Sequence, residues 1–406
     1  MRTGLALLAL PLLVFFPARA QALDFAFSGY ADARVLASAD QTSWVKGGLG
    51  KFRFGPDRGN FRFVEAVGQV QVGLTDEISG VVVGRLEPTD SAGLDFLEAY
   101  ALYAPRADGA LSWSVKAGAF FPTISLENDD LGWQSPYTLT PSAINTWIGE
   151  ELRTIGAEAT LRWNTGDYGT ISVMGSLLCC NDEAGILIAD RGWGMHDRYT
   201  GLLERIRIPD AAIRIFRQTP PFYTGEFDEI EGDVGWYGGL TWQLPDNLGK
   251  LSIVRYDNNA DPAAVTSRDT GWDTRFWSFG ARTQAGSWIF IAQHMAGYTS
   301  VVARGTLQAT KFQSAFVLAS YDSSADWRLS ARGDVFQTRR IGNPTSPFAE
   351  DGMAGTLAVS WTGIENLRLT GELIVMHNRR REYLNDGQRL QFVTHQAQLS
   401  ARYSFN

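Results

Sequence analysis

Apolar and polar residues alternate along most of this chain, and the alternation runs into its last stretch, HQAQLSARYSFN. Ala397, Leu399, Ala401, Tyr403 and Phe405 share one strand face, while Gln396, Gln398, Ser400, Arg402 and Ser404 share the other. Chain ends ordinarily fray. A strand still patterned at its end predicts a sheet that closes on itself and uses that strand as its seam. The same period of two recurs at Phe25 to Val35 and at residues 111–121, 152–163, 169–178, 234–243 and 353–362. These runs have about the ten-residue length of a tilted strand crossing a bilayer.

The first residues, MRTGLALLALPLLVFFPARAQA, combine an early positive charge, an apolar run from Leu5 to Phe16 and small residues spaced as Ala18-x-Ala20 or Ala20-x-Ala22. They predict a secretory signal peptide over 1–22, cleaved after Ala20 or Ala22, whose apolar part is too short to anchor in a membrane. Beyond it no apolar stretch reaches the roughly 18 residues a membrane helix needs. The apolar content of 45%, with 12% aromatic, suits a soluble all-β protein and a membrane barrel equally, because a barrel's polar lumen face dilutes its lipid face. A net charge of −8 argues against nucleic acid as a partner. The two cysteines, Cys179 and Cys180, are adjacent, so they supply no metal-site spacing and no disulfide framework. They read as small apolar residues near a strand end, with a vicinal disulfide as the alternative.

Strands are expected at 24–37, 61–75, 78–89, 94–104, 111–121, 151–164, 168–180, 233–244, 250–259, 272–283, 286–298, 309–321, 326–338, 352–363, 367–379 and 389–405. Their connections alternate between tight turns, near Asp76, Gly166, Ala285, Ser323 and Glu365, and longer links, near Asp261, Arg304, Pro344 and Asn385. The longest connections cover 122–150 and 181–232. That rhythm separates short inner turns from long outer loops in an antiparallel barrel. The stretch LLERIRIPDAAIRIFRQ also alternates around Pro209-Asp210 and is expected as a hairpin within the 181–232 loop; if it joined the wall instead, the barrel would have two more strands. Trp113, Trp163, Trp236, Trp242, Trp327, Trp361 and Tyr403 fall near strand ends, where interfacial girdles sit. The fold class is therefore all-β, with residues 23–406 forming one closed antiparallel transmembrane barrel of sixteen strands, or eighteen. A two-sheet sandwich is disfavoured because no linker divides the chain.

With its leader, its strand number, its aromatic-ended final strand and its long third outer loop, the chain resembles the porins of Gram-negative outer membranes. It departs from them in placing Asn406 after Phe405. The stretch AGAFFPTISLENDDLGWQSPYTLTPSAINTWIGEELRTIGAE is similar to that of uncharacterised porin-like members. The resemblance implies an outer-membrane location among lipid and lipopolysaccharide, passage of small hydrophilic solutes, and assembly as a homotrimer. It also implies that 122–150 folds into the barrel. Its acids Glu127, Asp129 and Asp130 would then face wall arginines Arg34, Arg85 and Arg162, with Lys116 and Glu158 on the same inner wall. Opposed charges of that kind set a transverse field and an ion preference.

Parity places Asp32, Glu65, Glu87, Glu98, Arg328, Arg332, Asp334, Arg368, Glu372 and Arg402 on the inner wall as well. The ENDD run lacks the oxygen spacing of a calcium loop, so neither a metal nor another cofactor is expected. Two further readings stand beside the passive channel. One is a barrel plugged by Asn181 to Gly232 that serves as a binding or structural protein. The other is a barrel hydrolase, whose best base is His196 beside Asp197; His294, His377 and His395 fall toward the lipid side, and no serine has a nucleophile context.

Overall fold

The computed structural model describes residues 23–38, 41–56, 61–88, 93–210, 222–341, 349–385 and 387–406. The expected leader, the second half of the Pro209 stretch and the Pro344 link lie outside them. The strands are β1 (Asp24–Ala37), β2 (Phe61–Gly73), β3 (Ile78–Leu86), β4 (Leu94–Tyr103), β5 (Leu111–Phe120), β6 (Thr154–Asn164), β7 (Thr170–Cys179), β8 (Ile206–Ile208) and β9 (Phe222–Thr224). The chain continues with β10 (Gly235–Gln243), β11 (Gly249–Asp257), β12 (Asp273–Ala285), β13 (Trp288–Ala303), β14 (Thr306–Asp322), β15 (Trp327–Ile341), β16 (Ala349–Ile364), β17 (Leu367–Arg380) and β18 (Gln391–Phe405). All except β8 and β9 form one closed antiparallel barrel of sixteen strands, each paired with its neighbours in sequence. The seam is the expected one: β1 pairs with β18 from Gly29 opposite Phe405 to Ala37 opposite Ala397.

Closure answers the question posed by the final strand. Every wall strand has two partners, so no unpaired edge meets the membrane. The alternation then sorts the faces. On β15, Leu329, Val335 and Trp327 are exposed outward, while Ser330, Arg332, Asp334 and Phe336 are buried inward. Outward aromatics gather at the short-turn end, where Tyr103 meets Trp113, Trp288 meets Tyr321 and Trp327 meets Trp361 at ring distances of 5.3, 4.6 and 6.3 Å. From Trp327 to the outward Gln337 the strand advances about 25 Å along the barrel axis, the height of a hydrocarbon belt.

Three expectations need correction. The link near Arg304 is a two-residue turn, Arg304 and Gly305 at φ 53° and 73°, because β13 and β14 extend beyond the expected strands; both positive values suit a tight hairpin turn. In the 181–232 connection, β8 pairs with β9, so the small hairpin forms between Ile206–Ile208 and Phe222–Thr224, without the tight turn expected at Pro209-Asp210. Cys179 and Cys180 form a vicinal disulfide. Successive strand residues point apart, but Cys180 has already left the strand, at φ 69°, which swings its sulfur back to its neighbour.

Candidate functional site

The upper part of the lumen, toward the long connections, is filled. The segment after β5 crosses the barrel and is pinned to the far wall. Ser125 Oγ accepts from the amides of Glu127 (3.1 Å) and Asn128 (2.8 Å) and turns the chain inward. A helix, α1 (Ala143–Glu151), follows, capped by Ser142 and buried at all nine residues. Arg332 on β15 is the anchor. It pairs with Asp334 and Glu127 at 2.8 Å each and donates to the carbonyls of Thr140 (2.7 Å) and Pro141 (3.0 Å). Glu372 on β17 accepts from the amides of Leu139 (2.7 Å) and Thr140 (3.0 Å).

The next long connection lies over this one. Its short helix α2 (Ile186–Asp190) starts where Glu151 accepts from the amides of Gly185 (3.1 Å) and Leu187 (2.8 Å). Arg191 grips Glu150 through two contacts of 2.5 Å, and His196 Nε2 stands 2.9 Å from the same carboxylate. Asp197 meets Arg34 at 2.5 Å and Arg53 at 3.2 Å. Arg85 contacts the Tyr199 carbonyl and Glu204. The first long connection adds Lys51, 2.5 Å from Glu350 and 2.7 Å from the Arg191 carbonyl. Between these ionic layers lies a dry core. Trp147 packs on Trp193, Phe276 and Phe312 at 6.0, 5.4 and 5.0 Å, within a cluster that includes Ile144, Ile148, Met195, Phe336, Ile374 and Met376. Inward apolar residues on β12 to β17 exist to meet this plug.

The lower part, toward the short turns, carries partly exposed basic groups, although inward Ile289, Ile291, Ser320, Ser330 and Thr370 on β13 to β17 are buried there too. Arg162 is exposed there, and Lys116 and Lys250 are half-buried. Lys116 Nζ lies 4.5 Å from the Phe120 ring centre, and Arg162 donates to Ser114 at 3.0 Å. The acids of the crossing segment do not face the arginines expected of them. Asp129 pairs with Arg282 (2.7 Å) and Asp130 with Arg368 (3.4 Å), whereas Arg34 and Arg85 are shared between the 181–232 connection and their own neighbours Asp32 and Glu87. The segment spans the lumen, so its acids reach the wall opposite the strands it leaves. Glu158, which stands across from Lys116 in the register, accepts instead from the Tyr237 hydroxyl at 2.6 Å.

Burial sets the protonation of the plug. It lowers the Lys51 ammonium to about 7 despite Glu350. It raises Glu151 to about 7 and Glu183 to about 8, and carries Glu226 well above the carboxylate range. Asp182 is raised to about 7 by burial together with Glu229 and Glu231. Burial works the same way on Glu150, but Arg191 and His196 outweigh it and hold this group at about 2. Lys51, Arg53, Glu150, Arg191 and Glu350 were not singled out from the sequence. Their signal there is faint, because a charge on a long connection, or at the very start of a strand like Glu350 on β16, normally faces water. Among the described residues, the potential metal-ligand cluster is Cys179, Cys180 and Glu229, and its two sulfurs are joined to each other.

Arg332→Met tests the anchor. It keeps the bulk and strands Glu127 and Asp334 without a counter-charge in a site with no exposure, a loss of about 3–5 kcal/mol. The thermal midpoint of the folded barrel in detergent should fall clearly; an unchanged midpoint would count against the anchoring role.

No protein-family model and no curated protein sequence matches the chain. Solved structures do share its fold. The outer-membrane channel DcaP of Acinetobacter baumannii is 13% identical, with 96% of this chain and 99% of that one aligned at a TM-score of 0.56. OmpT, an outer-membrane protein of Vibrio cholerae, is 8% identical over 95% and 99% at 0.53. An anion-selective porin from Comamonas acidovorans is 9% identical over 94% and 100% at 0.52.

Proposed function

We propose that this chain is a porin-like pore of the bacterial outer membrane, passing small hydrophilic solutes with a preference for anions and held shut in this state by its inserted long connections. The carrying observation is the division of the lumen: a dry, ion-paired plug above, and below it a partly exposed wall where Lys116, Arg162, Lys250, Arg282, Arg328 and Arg368 are met by Asp129, Asp130 and Asp322 in close ion pairs and by Glu158 across from Lys116. A plug made of connections, rather than of wall strands, can withdraw without opening the barrel. The likeness to barrels described as channels favours this reading over a purely structural barrel. The long connections would face the outside and the short turns the periplasm.

Reversal potentials across a salt gradient in planar bilayers check the anion preference. The unaltered protein's openings should favour the anion, and the triple variant Lys116→Glu, Arg162→Glu, Lys250→Glu should move the preference to the cation. Identical reversal potentials in the two proteins would remove the lower wall from the selectivity argument. A hydrolase reading draws no support from His196, which is wholly buried in the plug against Trp44, at a ring distance of 4.8 Å.

A further inference from the structure

One sector of the outer wall does not look like plain lipid-facing surface. In the register of β14 to β17, the outward residues Gln313, Gln337, Asp351 and Arg379 stand side by side in one row, with Lys311 opposite Arg339 just above. Gln313 donates to Gln337 (3.1 Å), Gln337 to Asp351 (2.9 Å), and Arg339 to the same carboxylate (2.6 Å). Three cations therefore share a single acid. Neither Lys311 nor Arg379 makes a side-chain hydrogen bond or ion pair with another described residue. The row stands about 25 Å above the Trp327–Trp361 girdle, at the rim of the leaflet nearest the long connections.

Directly below it the wall is hollowed. Gly333 and Gly355 face each other across β15 and β16, and a side chain at either would meet nothing within 4 Å. The resulting groove, about 670 Å³, is walled by Ala315, Val335, Met353 and Val375. A cationic ledge over an apolar slot on the lipid side has the chemistry of a site for one amphiphile, with anionic head above and acyl chain below.

We infer that this sector holds a phosphorylated acyl lipid of the outer leaflet, the lipid A part of lipopolysaccharide, with its phosphates on Arg339, Arg379 and Lys311 and an acyl chain in the Gly333–Gly355 groove. Charge complementarity favours this occupant over a second copy docked through a two-fold axis, which would set these cations against their own counterparts. The site lies on the opposite side of the wall from the plug, so its occupancy is independent of whether the pore conducts.

The test is native mass spectrometry of the full chain folded in detergent, titrated with diphosphoryl lipid A and with the same lipid stripped of both phosphates. The phosphorylated form should bind one per barrel at least about tenfold more tightly. Arg339→Gln with Arg379→Gln should abolish that preference, and Gly355→Leu, which fills the slot, should weaken both lipids. Equal binding of the two lipids by the unaltered protein overturns the inference, whether or not any variant folds. So does retention of the preference by the arginine double variant. Disulfide cross-linking of two barrels through Gln337→Cys that excludes lipid A would assign the face to a second copy and overturn it as well.

Discussion

Excising residues 182–231 and joining Asn181 to Gly232 through a short Gly-Ser linker should raise the conductance of the reconstituted barrel at least about tenfold, since a sixteen-strand wall freed of its filling leaves an aqueous channel. The excised stretch carries Trp193 and Met195 of the dry core and the acids Asp197 and Glu204, which share Arg34, Arg53 and Arg85 with the wall acids Asp32, Glu65 and Glu87. None of it contributes a strand to the wall, so closure from β1 to β18 is untouched. Trp147 would lose one aromatic partner but keep Phe276 and Phe312, and Arg332 would still hold the crossing segment. The opened pore should therefore remain narrowed by 122–150. The arginines left behind would lose Asp197 and Glu204 but keep the wall acids Asp32, Glu65 and Glu87, so the anion preference should persist. Planar-bilayer recordings decide the matter: conductance equal to that of the intact chain would end the plug reading.

The wall was legible because a barrel strand is a local code. Period-two alternation fixes which side chains face lipid and which face the lumen, and a slip of one residue would invert the whole face. The bounds of β1 follow directly from the sequence, as does the seam at Phe405. The plug was not legible, because its residues obey no such period. Ile144, Trp147 and Ile148 carry helical spacing after the Ser142 cap, a short signal easily lost between long strands. Inward Phe276, Phe312 and Phe336 look anomalous for a polar lumen until Trp147 and Trp193 are seen to cover the first two. Parity placed Arg34 and Arg85 correctly on the inner wall, but it cannot say which of two long connections brings the acid to each, since that depends on contacts more than a hundred residues apart.

Acidity should keep the same plug in place, with open probability rising about tenfold or more between pH 5 and pH 7. Glu151 and Asp182, raised to about 7, and Glu183, raised to about 8, hold protons in the inserted state that they would release once wetted. Glu183 sits among the Thr224 hydroxyl, the amides of Gly225 and Thr270, and the charge of Asp269. Glu226 faces Glu150, Glu151 and Glu183, partly offset by Arg191, and neither of its carboxylate oxygens has a hydrogen-bond partner among the described residues. For a carboxyl raised in the inserted state, that state is favoured at low pH, and the advantage is lost as pH climbs from the ordinary value through the raised one. Glu150, held at about 2, stays ionised throughout and adds no slope here. Lys51 acts oppositely, but only above about 7, where its depressed ammonium lets rising pH favour insertion. The curve should therefore climb to neutrality and rise more gently beyond it, where Lys51 offsets part of the proton release from Glu183 and Glu226. Single-channel recordings at pH 5, 6, 7 and 8 on the intact chain, beside Glu183→Gln with Glu226→Gln, provide the check. A shallower slope in the double variant, with Glu151 and Asp182 carrying the remainder, is the expected result, whereas a falling open probability over that interval, or a slope the variant leaves intact, would sink the carboxyl latch.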